Sequence, residues 1–388
     1  MKQYRYERED RHMIKVPLNN RILKLISQID ENRSAVSSVR IPVSITDRLR
    51  KNSKKRSAYS SNRIEGNPLS QEQADEVIDN DDRKHLLKPE QEIRNYYLAL
   101  NHLEKAASDG IGFPKKLILD VQELVVKGAS KEKIGLRGQM PPGVLFAVYD
   151  SHTGTPEYIP PEYKDIPELL DELVEYVNTT DDHPLIVAAV VHYQIVTIHP
   201  FEDGNGRTAR LLSGYIMDIN GYGFNGIGSL EEYFAYDIDE YYNSIQMGLP
   251  ALYYSGRNDP PHPEIWVEYF LRMVLLYSDR IRDISDKSGE EAVNNALSHL
   301  KGREKAFLLF LLDNFDGEFT PIEVSRALKV TNRTVINRLS VLAGNGLVTP
   351  HMVRERITTY ELSDFTKENS ESIRDRLDHY SNLTGVSL

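Results

Sequence analysis

Apolar positions along this chain recur mostly at three- and four-residue intervals, the pattern of helices with one buried face. Glu90 to Lys105 and Pro114 to Val126 repeat leucine and glutamate on that period. Glu264 to Tyr277 predicts a strong amphipathic helix that closes a core, and Arg21 to Ile29 a short one. Pro184 to Ile198 is different. It is apolar on most faces and contains alanines, which predicts a helix buried all round. Arg207 to Ile219 returns to helical spacing and ends near Asn220-Gly221, a suitable C-cap. Residues 135–162 break the helical pattern. Two short β-prone runs, in Gly135–Tyr149 and Glu157–Pro161, flank a polar turn at Asp150–Gly154 and predict a hairpin.

The last third reads as a separate module. Ser285 to Glu291 has linker composition, although a long helix can run through it. Arg303 to Asn314 is apolar and helical, and Thr320 precedes Pro321 as N-cap and N1 of a second helix. Thr331 to Leu342 gives a third helix, and Gly344–Val348 with Arg356–Leu362 suggest a two-stranded wing. This order resembles a winged helix-turn-helix with Thr331–Leu342 as recognition helix, placing Asn332, Arg333, Thr334 and Asn337 toward a DNA major groove. From Arg303 to Glu361 eight Lys or Arg face seven Asp or Glu, a net of +1, so there is no basic footprint. Winged helices also bind proteins or dimerise, and both uses stay open. The expected fold class is mainly α. A helical region spans residues 1–110, a core with the hairpin 111–290, and the winged-helix-like domain with a tail 291–388.

At 388 residues the chain holds two or three domains with real cores. Its net charge of −11 argues against non-specific polyanion binding by the whole protein. There is no cysteine, so disulfides and thiolate metal sites are excluded. The first ten residues are charged and lack a signal-peptide core, and the longest apolar run, Ile186–Val191, is far shorter than a membrane span. A cytoplasmic protein without membrane contact is the expectation.

The chemistry concentrates in His199-Pro200-Phe201-Glu202-Asp203-Gly204-Asn205-Gly206-Arg207-Thr208-Ala209-Arg210. The flanking patterns make this run a tight loop between two helices, with Gly-Asn-Gly at the start of the second. A helix N-terminus offers free N–H groups and a positive dipole end. Gly204 and Gly206 permit positive φ and close anion approach, and Asn205 tolerates such angles, so an anion nest is expected. Arg207 and Arg210 lie one turn apart and can reach the same phosphate chain. Asp203 is a hard oxygen ligand suited to Mg²⁺, and His199 a proton acceptor near neutral pH. Phe201 is expected to anchor the loop in the core.

This run resembles the Fic family signature, His-x-Phe-x-(Asp/Glu)-Gly-Asn-Gly-Arg-x-x-Arg, at every specified position. The resemblance implies transfer of AMP from ATP, with Mg²⁺, to a Tyr, Thr or Ser hydroxyl of a target protein or of the chain itself. It implies His199 as general base, Asp203 on the metal, and Gly204, Asn205, Gly206 and Arg207 on the phosphates. The related Doc kinases carry lysine where Gly206 stands, so Gly206 favours AMP transfer. Tyr241 and Tyr242 resemble the family's tyrosine near the nucleotide base, and the resemblance implies that the hairpin is a flap holding the target peptide by strand addition, with an ordinary surface hairpin left open. Ser61-Asn62-Arg63-Ile64-Glu65-Gly66 resembles the family's inhibitory motif, at the end of a polar helix from Ile45 that Gly66 and Pro68 stop. There Glu65 would pair with Arg210 in the place of the ATP γ-phosphate, as in class II members, because one guanidinium cannot serve both groups bidentately. Two alternatives remain: removal of AMP at the same site, with Glu65 orienting water, and a DNA-binding regulator whose Fic domain senses nucleotide. Homodimer formation is open.

Overall fold

The computed structural model describes residues 13–39, 41, 43–80, 85–144, 146–149, 156–249, 260–353 and 356–384. They form two compact units. The first takes the described residues up to Arg33 and Asp47–Ile281, and the second Ser34–Thr46 and the described residues from Arg282 on. The elements running into the first unit are α1 (Asn20–Ser38), α2 (Val43–Ile64), α3 (Gln71–Asp79), α4 (Lys88–Ser108) and α5 (Lys115–Val126). The hairpin β1 (Val148–Tyr149) and β2 (Pro156–Tyr158) follows, then α6 (Ile166–Thr179), α7 (Pro184–Ile198) and α8 (Asn205–Ile219). After α8 come α9 (Glu231–Phe234), α10 (Ile238–Gln246) and α11 (Pro263–Ser298). α1, α2 and α11 carry residues of both units.

α7 is the axis of the first unit. His183 caps it, its Nδ1 accepting the Leu185 N–H at 3.3 Å, and Pro184 fills the first turn, where no amide partner is needed. Every residue from Leu185 to Ile198 except Val196 is buried. Burying each large aliphatic side chain stabilises the fold by about 1.5–3 kcal/mol. α8 packs along α7, and Trp266 of α11 is buried against it with its indole N–H on the Ala189 carbonyl at 2.8 Å. α8 ends at Asn220, followed by Gly221 at φ 80°. Residues 61–64, the start of the Ser61–Gly66 run, form the C-terminal end of α2, which is stopped by Gly66 at φ 81°.

Two stretches refine the sequence pattern, and a third is described only in part. The tyrosine-rich stretch 230–245 is two short helices, because Asp237 accepts the Glu240 N–H at 2.9 Å and starts α10 afresh. α11 runs straight through the linker-like residues 285–291. The polar turn 150–154 lies outside the described residues, while β1 and β2 pair antiparallel as Val148 with Tyr158 and Tyr149 with Pro156.

The second unit contains α12 (Gly302–Asn314), α13 (Pro321–Leu328), α14 (Asn332–Gly344), the antiparallel ladder β3 (Val348–Val353) and β4 (Arg356–Leu362), and the helices α15 (Asp364–Glu368) and α16 (Ser370–Thr384). Thr320 and Glu323 form a capping box on α13, and Thr331 accepts the Thr334 N–H at 3.2 Å to start α14. Phe307, Leu311, Val335, Leu339, Leu347 and Tyr360 sit in its core. The first strand starts at Val348, later than Gly344, because α14 continues to Gly344 and Gly346 turns the chain at φ 71°. Among the described residues no helix is long and apolar enough to cross a membrane.

Candidate functional site

α7 ends where the site begins. His199 caps it in the left-handed conformation, φ 47° and ψ 57°, which turns the chain out of the helix. Its Nδ1 lies 3.2 Å from the Val196 carbonyl. A carbonyl only accepts, so Nδ1 carries the proton and Nε2 is left with a bare lone pair. The ring keeps partial solvent access, yet the protein packed around it pushes the imidazole down to about 4. The Val196 bond and the charges of Glu65 and Asp203 oppose that shift, and the Arg137 cation adds to it.

The loop between the helices is tied from several sides. Phe201 is fully buried and bridges to Leu136, and the Arg137 N–H donates to the Pro200 carbonyl at 2.9 Å. The Asn205 side chain folds back onto the loop, accepting the Phe201 N–H at 3.1 Å and donating to the Phe201 carbonyl at 2.9 Å. Its amide therefore shapes the turn, and only its backbone faces an incoming anion. Gln122 of α5, fully buried, donates to the Asp203 carbonyl at 3.2 Å and accepts the Gly135 N–H at 3.0 Å. Gly204 is required twice: its φ is 86°, and a Cβ there would stand 2.9 Å from Val126 Cγ1. A Cβ on Gly206 would stand 2.5 Å from Glu65 Oε1, so the carboxylate lies directly over the first turn of α8.

The two arginines have different surroundings. Arg207 is buried, with one terminal amino group 3.1 Å from Asp203 Oδ1 and the other 3.5 Å from Asn62 Oδ1 and 3.8 Å from Glu92 Oε1. Its buried Nε has no partner among the described residues, an unmet donor at a helix start. Arg210 is enclosed by α2: its Nε donates to Ser61 Oγ at 2.7 Å, and one terminal amino group to the Ser61 carbonyl at 3.1 Å and Glu65 Oε1 at 2.6 Å. Burial alone would lower its pKa, but the Glu65 carboxylate together with the Tyr241 and Tyr96 hydroxyls outweighs that and the net shift is upward, so Arg210 stays charged.

The tyrosine pair separates by exposure. Tyr241 is buried among Phe234, Trp266 and Tyr269, with its hydroxyl 2.8 Å from His192 Nε2 and 3.4 Å from an Arg210 amino group. Neither of its faces is open to a nucleotide base, whereas Tyr242 is half exposed. His192 is itself fully buried, and burial holds it well below the usual imidazole range, so it is a neutral support behind Arg210. Among the described residues no three His, Cys, Asp or Glu side chains are assembled to hold a metal. The donor set fits Mg²⁺ nonetheless, since that ion is commonly held by one or two carboxylates together with phosphate oxygens and water. The partly exposed Asp203 carboxylate, beside the unmet Arg207 donor, is such a group.

Gln122, His192 and Arg137 are site residues that no sequence pattern marks; each acts through a backbone or side-chain contact with a distant segment. Asn62 and Glu92, near Arg207, come from α2 and α4.

Residues 112–217 match the family model described as Fic/DOC family. Two relatives named Protein adenylyltransferase Fic, from Drosophila virilis and Drosophila mojavensis, are 30% and 29% identical over 207 and 205 residues. These matches cover 51% of this chain and only 40% and 38% of the relatives' own length. A Fic family protein from Desulfovibrio desulfuricans G20 superposes with a TM-score of 0.56 at 21% identity, covering 90% of this chain and 98% of that one. Fic-1 from C. elegans gives 0.52 at 23% identity, covering 69% and 72%. The helical architecture around α7 and α8 is the fold these proteins share.

Proposed function

We propose that this protein, a member of the Fic family, moves AMP from ATP to a hydroxyl of a protein side chain and is held in check by Glu65. One observation carries the reading: the bare Nε2 of His199, the start of α8 and the Glu65–Arg210 pair at 2.6 Å converge on one small volume. In the proposed reaction the N–H groups of α8's first turn bind phosphate oxygens, and Arg207 meets them with its unsatisfied Nε. Mg²⁺, when bound at Asp203 with the phosphates, would neutralise charge on them. His199 Nε2 takes the proton of the target hydroxyl as its oxygen attacks the α-phosphorus, and pyrophosphate leaves on the opposite side. Nδ1, held on Val196, keeps the ring aimed while Nε2 is protonated. The target chain adds as a strand to the β1–β2 hairpin, whose base is fixed by the Tyr158 hydroxyl on the Thr197 carbonyl at 2.6 Å.

Glu65 opposes this by claiming Arg210, the partner a γ-phosphate needs for a productive pose. Transfer of α-labelled ATP with Mg²⁺ by wild type, Glu65→Gly and Glu65→Gly/His199→Ala tests the reading. Label with the single mutant and none with the double is expected. Silence of both mutants with nucleotide still bound would overturn it, and loss of AMP from a modified target by wild type alone would move the assignment to AMP removal. A second activity, DNA contact, is favoured by the exposed Asn332, Arg333 and Asn337 on α14. A mobility shift abolished by Arg333→Ala is its test, and no shift would leave the second unit as a protein contact.

A further inference from the structure

Arg137 takes no part in the chemistry above, yet its contacts fix both sides of the place where that chemistry would occur. Its side chain is buried and has no ion-pair partner among the described residues. Burial lowers the guanidinium to about 10, so it stays charged at neutral pH. Its Nε donates to the His199 carbonyl at 2.8 Å, and a terminal amino group donates to the Pro161 carbonyl. Its backbone N–H holds Pro200. The guanidinium carbon lies 4.8 Å from the centroid of the Phe146 ring, and that ring stands 5.9 Å from the His199 imidazole at a 48° tilt.

These contacts bear on aim. The left-handed backbone of His199 carries its carbonyl out of the α7 ladder, where it needs a donor. Arg137 supplies a charged one, the stronger kind. Pro161 follows β2 closely, so the same planar fork also sets the end of the hairpin. Phe146 lies just ahead of β1 and packs at a tilt beside the imidazole. A single rigid group thus spans the base and the open end of the hairpin, where β1 begins and β2 has ended.

We propose that Arg137 is a positioning residue that locks the His199 imidazole and the stem of the β1–β2 hairpin in register, so that a hydroxyl held on the hairpin meets His199 Nε2. The role in transfer rests on the function proposed above; the locking of His199 does not. Lysine cannot replace Arg137, because one ammonium lacks the fixed fork that reaches two separated carbonyls. The nucleotide cradle at α8 is built from other residues and stays intact.

The test compares Arg137→Lys and Arg137→Met with their parent in the Glu65→Gly background. Loss of aim by about 1 Å predicts a fall in kcat on the order of 10²-fold for Arg137→Met, with ATP dissociation unchanged by direct titration. Arg137→Lys, which keeps charge and one carbonyl contact, should fold like the parent and still lose kcat. Retained kcat in both variants, or kcat and ATP binding lost together, would overturn the proposal. A second readout needs no transfer: the His199 imidazole is titrated by NMR. The charged groups facing it are Arg137, Glu65 and Asp203. Removing the Arg137 cation and loosening the ring should raise its pKa from about 4 toward the ordinary 6.5. An unchanged His199 titration in Arg137→Met sinks the proposal. A shifted titration beside a parent that transfers no AMP sinks only the proposed activity.

Discussion

Replacing Glu65 by glycine removes a 2.6 Å charged hydrogen bond to an arginine whose side chain is 1% exposed. Breaking a fully buried pair costs about 3–5 kcal/mol, but that figure is too large here. Glu65 is 34% exposed, so solvent screens part of the attraction. Arg210 also keeps the Ser61 hydroxyl and carbonyl and the Tyr241 hydroxyl, so the substitution does not orphan it. A single hydrogen bond to a charged group, about 1.5–3 kcal/mol, is the better measure. Two quantities should move by that amount in opposite directions. Stability of the nucleotide-free protein should fall by about 1.5–3 kcal/mol in chemical denaturation. Transfer from α-labelled ATP should rise about 10- to 100-fold, since every 1.4 kcal/mol of competing contact is worth a factor of ten. Glu65→Gln, which retains a neutral acceptor, should lie between the two. Equal transfer rates for parent and Glu65→Gly, with the expected loss of stability, would refute the link between this pair and catalysis.

The remaining predictions concern the loop and the base. His199→Ala in the relieved background should cost about 10²–10⁴ in rate while ATP still binds, measured by single-turnover transfer and titration. Because burial holds His199 near 4, its lone pair stays free across neutral pH. The relieved variant's rate should therefore be flat there and fall only as pH drops through about 4, whereas a fall centred on 6.5 would refute the assignment. The same shift acts on stability: the unfolded chain takes up this proton first, so the contribution of His199 is intact above 6.5 and lost as pH falls toward about 4. Gly204→Ala meets both a φ of 86° and Val126 Cγ1 at 2.9 Å, and should destabilise by about 1–2 kcal/mol or more and weaken ATP binding. Asp203→Asn should raise the Mg²⁺ concentration needed for half-maximal transfer, and an unchanged Mg²⁺ titration would remove Asp203 from the metal.

What the sequence discloses divides by the range of the interaction. The loop from His199 to Arg210 is written in adjacent residues, and an all-apolar helix before it with an amphipathic one after it leaves few ways to fold. The Glu65–Arg210 contact joins residues 145 apart, and no local pattern reports it; family resemblance alone suggests it. Gln122 and Arg137 act on backbone carbonyls and amides of other segments, which constrain no residue type and so leave no trace in a spacing pattern. Tyr241 and Tyr242 are neighbours of the same type, and only the phase of α10 turns one inward and the other outward. That phase depends on Asp237 restarting the helix, a capping choice hidden inside an apparently continuous period.

The composition of α2 suits the role proposed for its end. From Ser53 to Ser61 the buried positions are Ser53, Lys55, Ser57, Ala58, Ser60 and Ser61, so this face meets its neighbours with hydroxyls more than hydrocarbon. Ser57 donates to the buried Glu231 carboxylate at 2.7 Å, Ser53 to the Gly228 carbonyl, and Lys55 to Asp79 at 2.6 Å. The Ser53 bond contributes only about 0.5–1.5 kcal/mol net and the Ser57 bond to a carboxylate about 1.5–3 kcal/mol, because water replaces each when the contact opens. A helix held by leucines would expose an apolar stripe on release, at about 25 cal/mol for each Å². A face of serines with the single Ala58 exposes far less. Under the proposed inhibition, the segment carrying Glu65 therefore combines specific geometry with little apolar surface to expose on opening, and several modest bonds rather than one strong one set the threshold. Replacing Ser57 by alanine should accordingly raise basal transfer without touching any residue of the phosphate cradle, and unaltered basal transfer in Ser57→Ala would show that Glu65 moves independently of the helix that bears it.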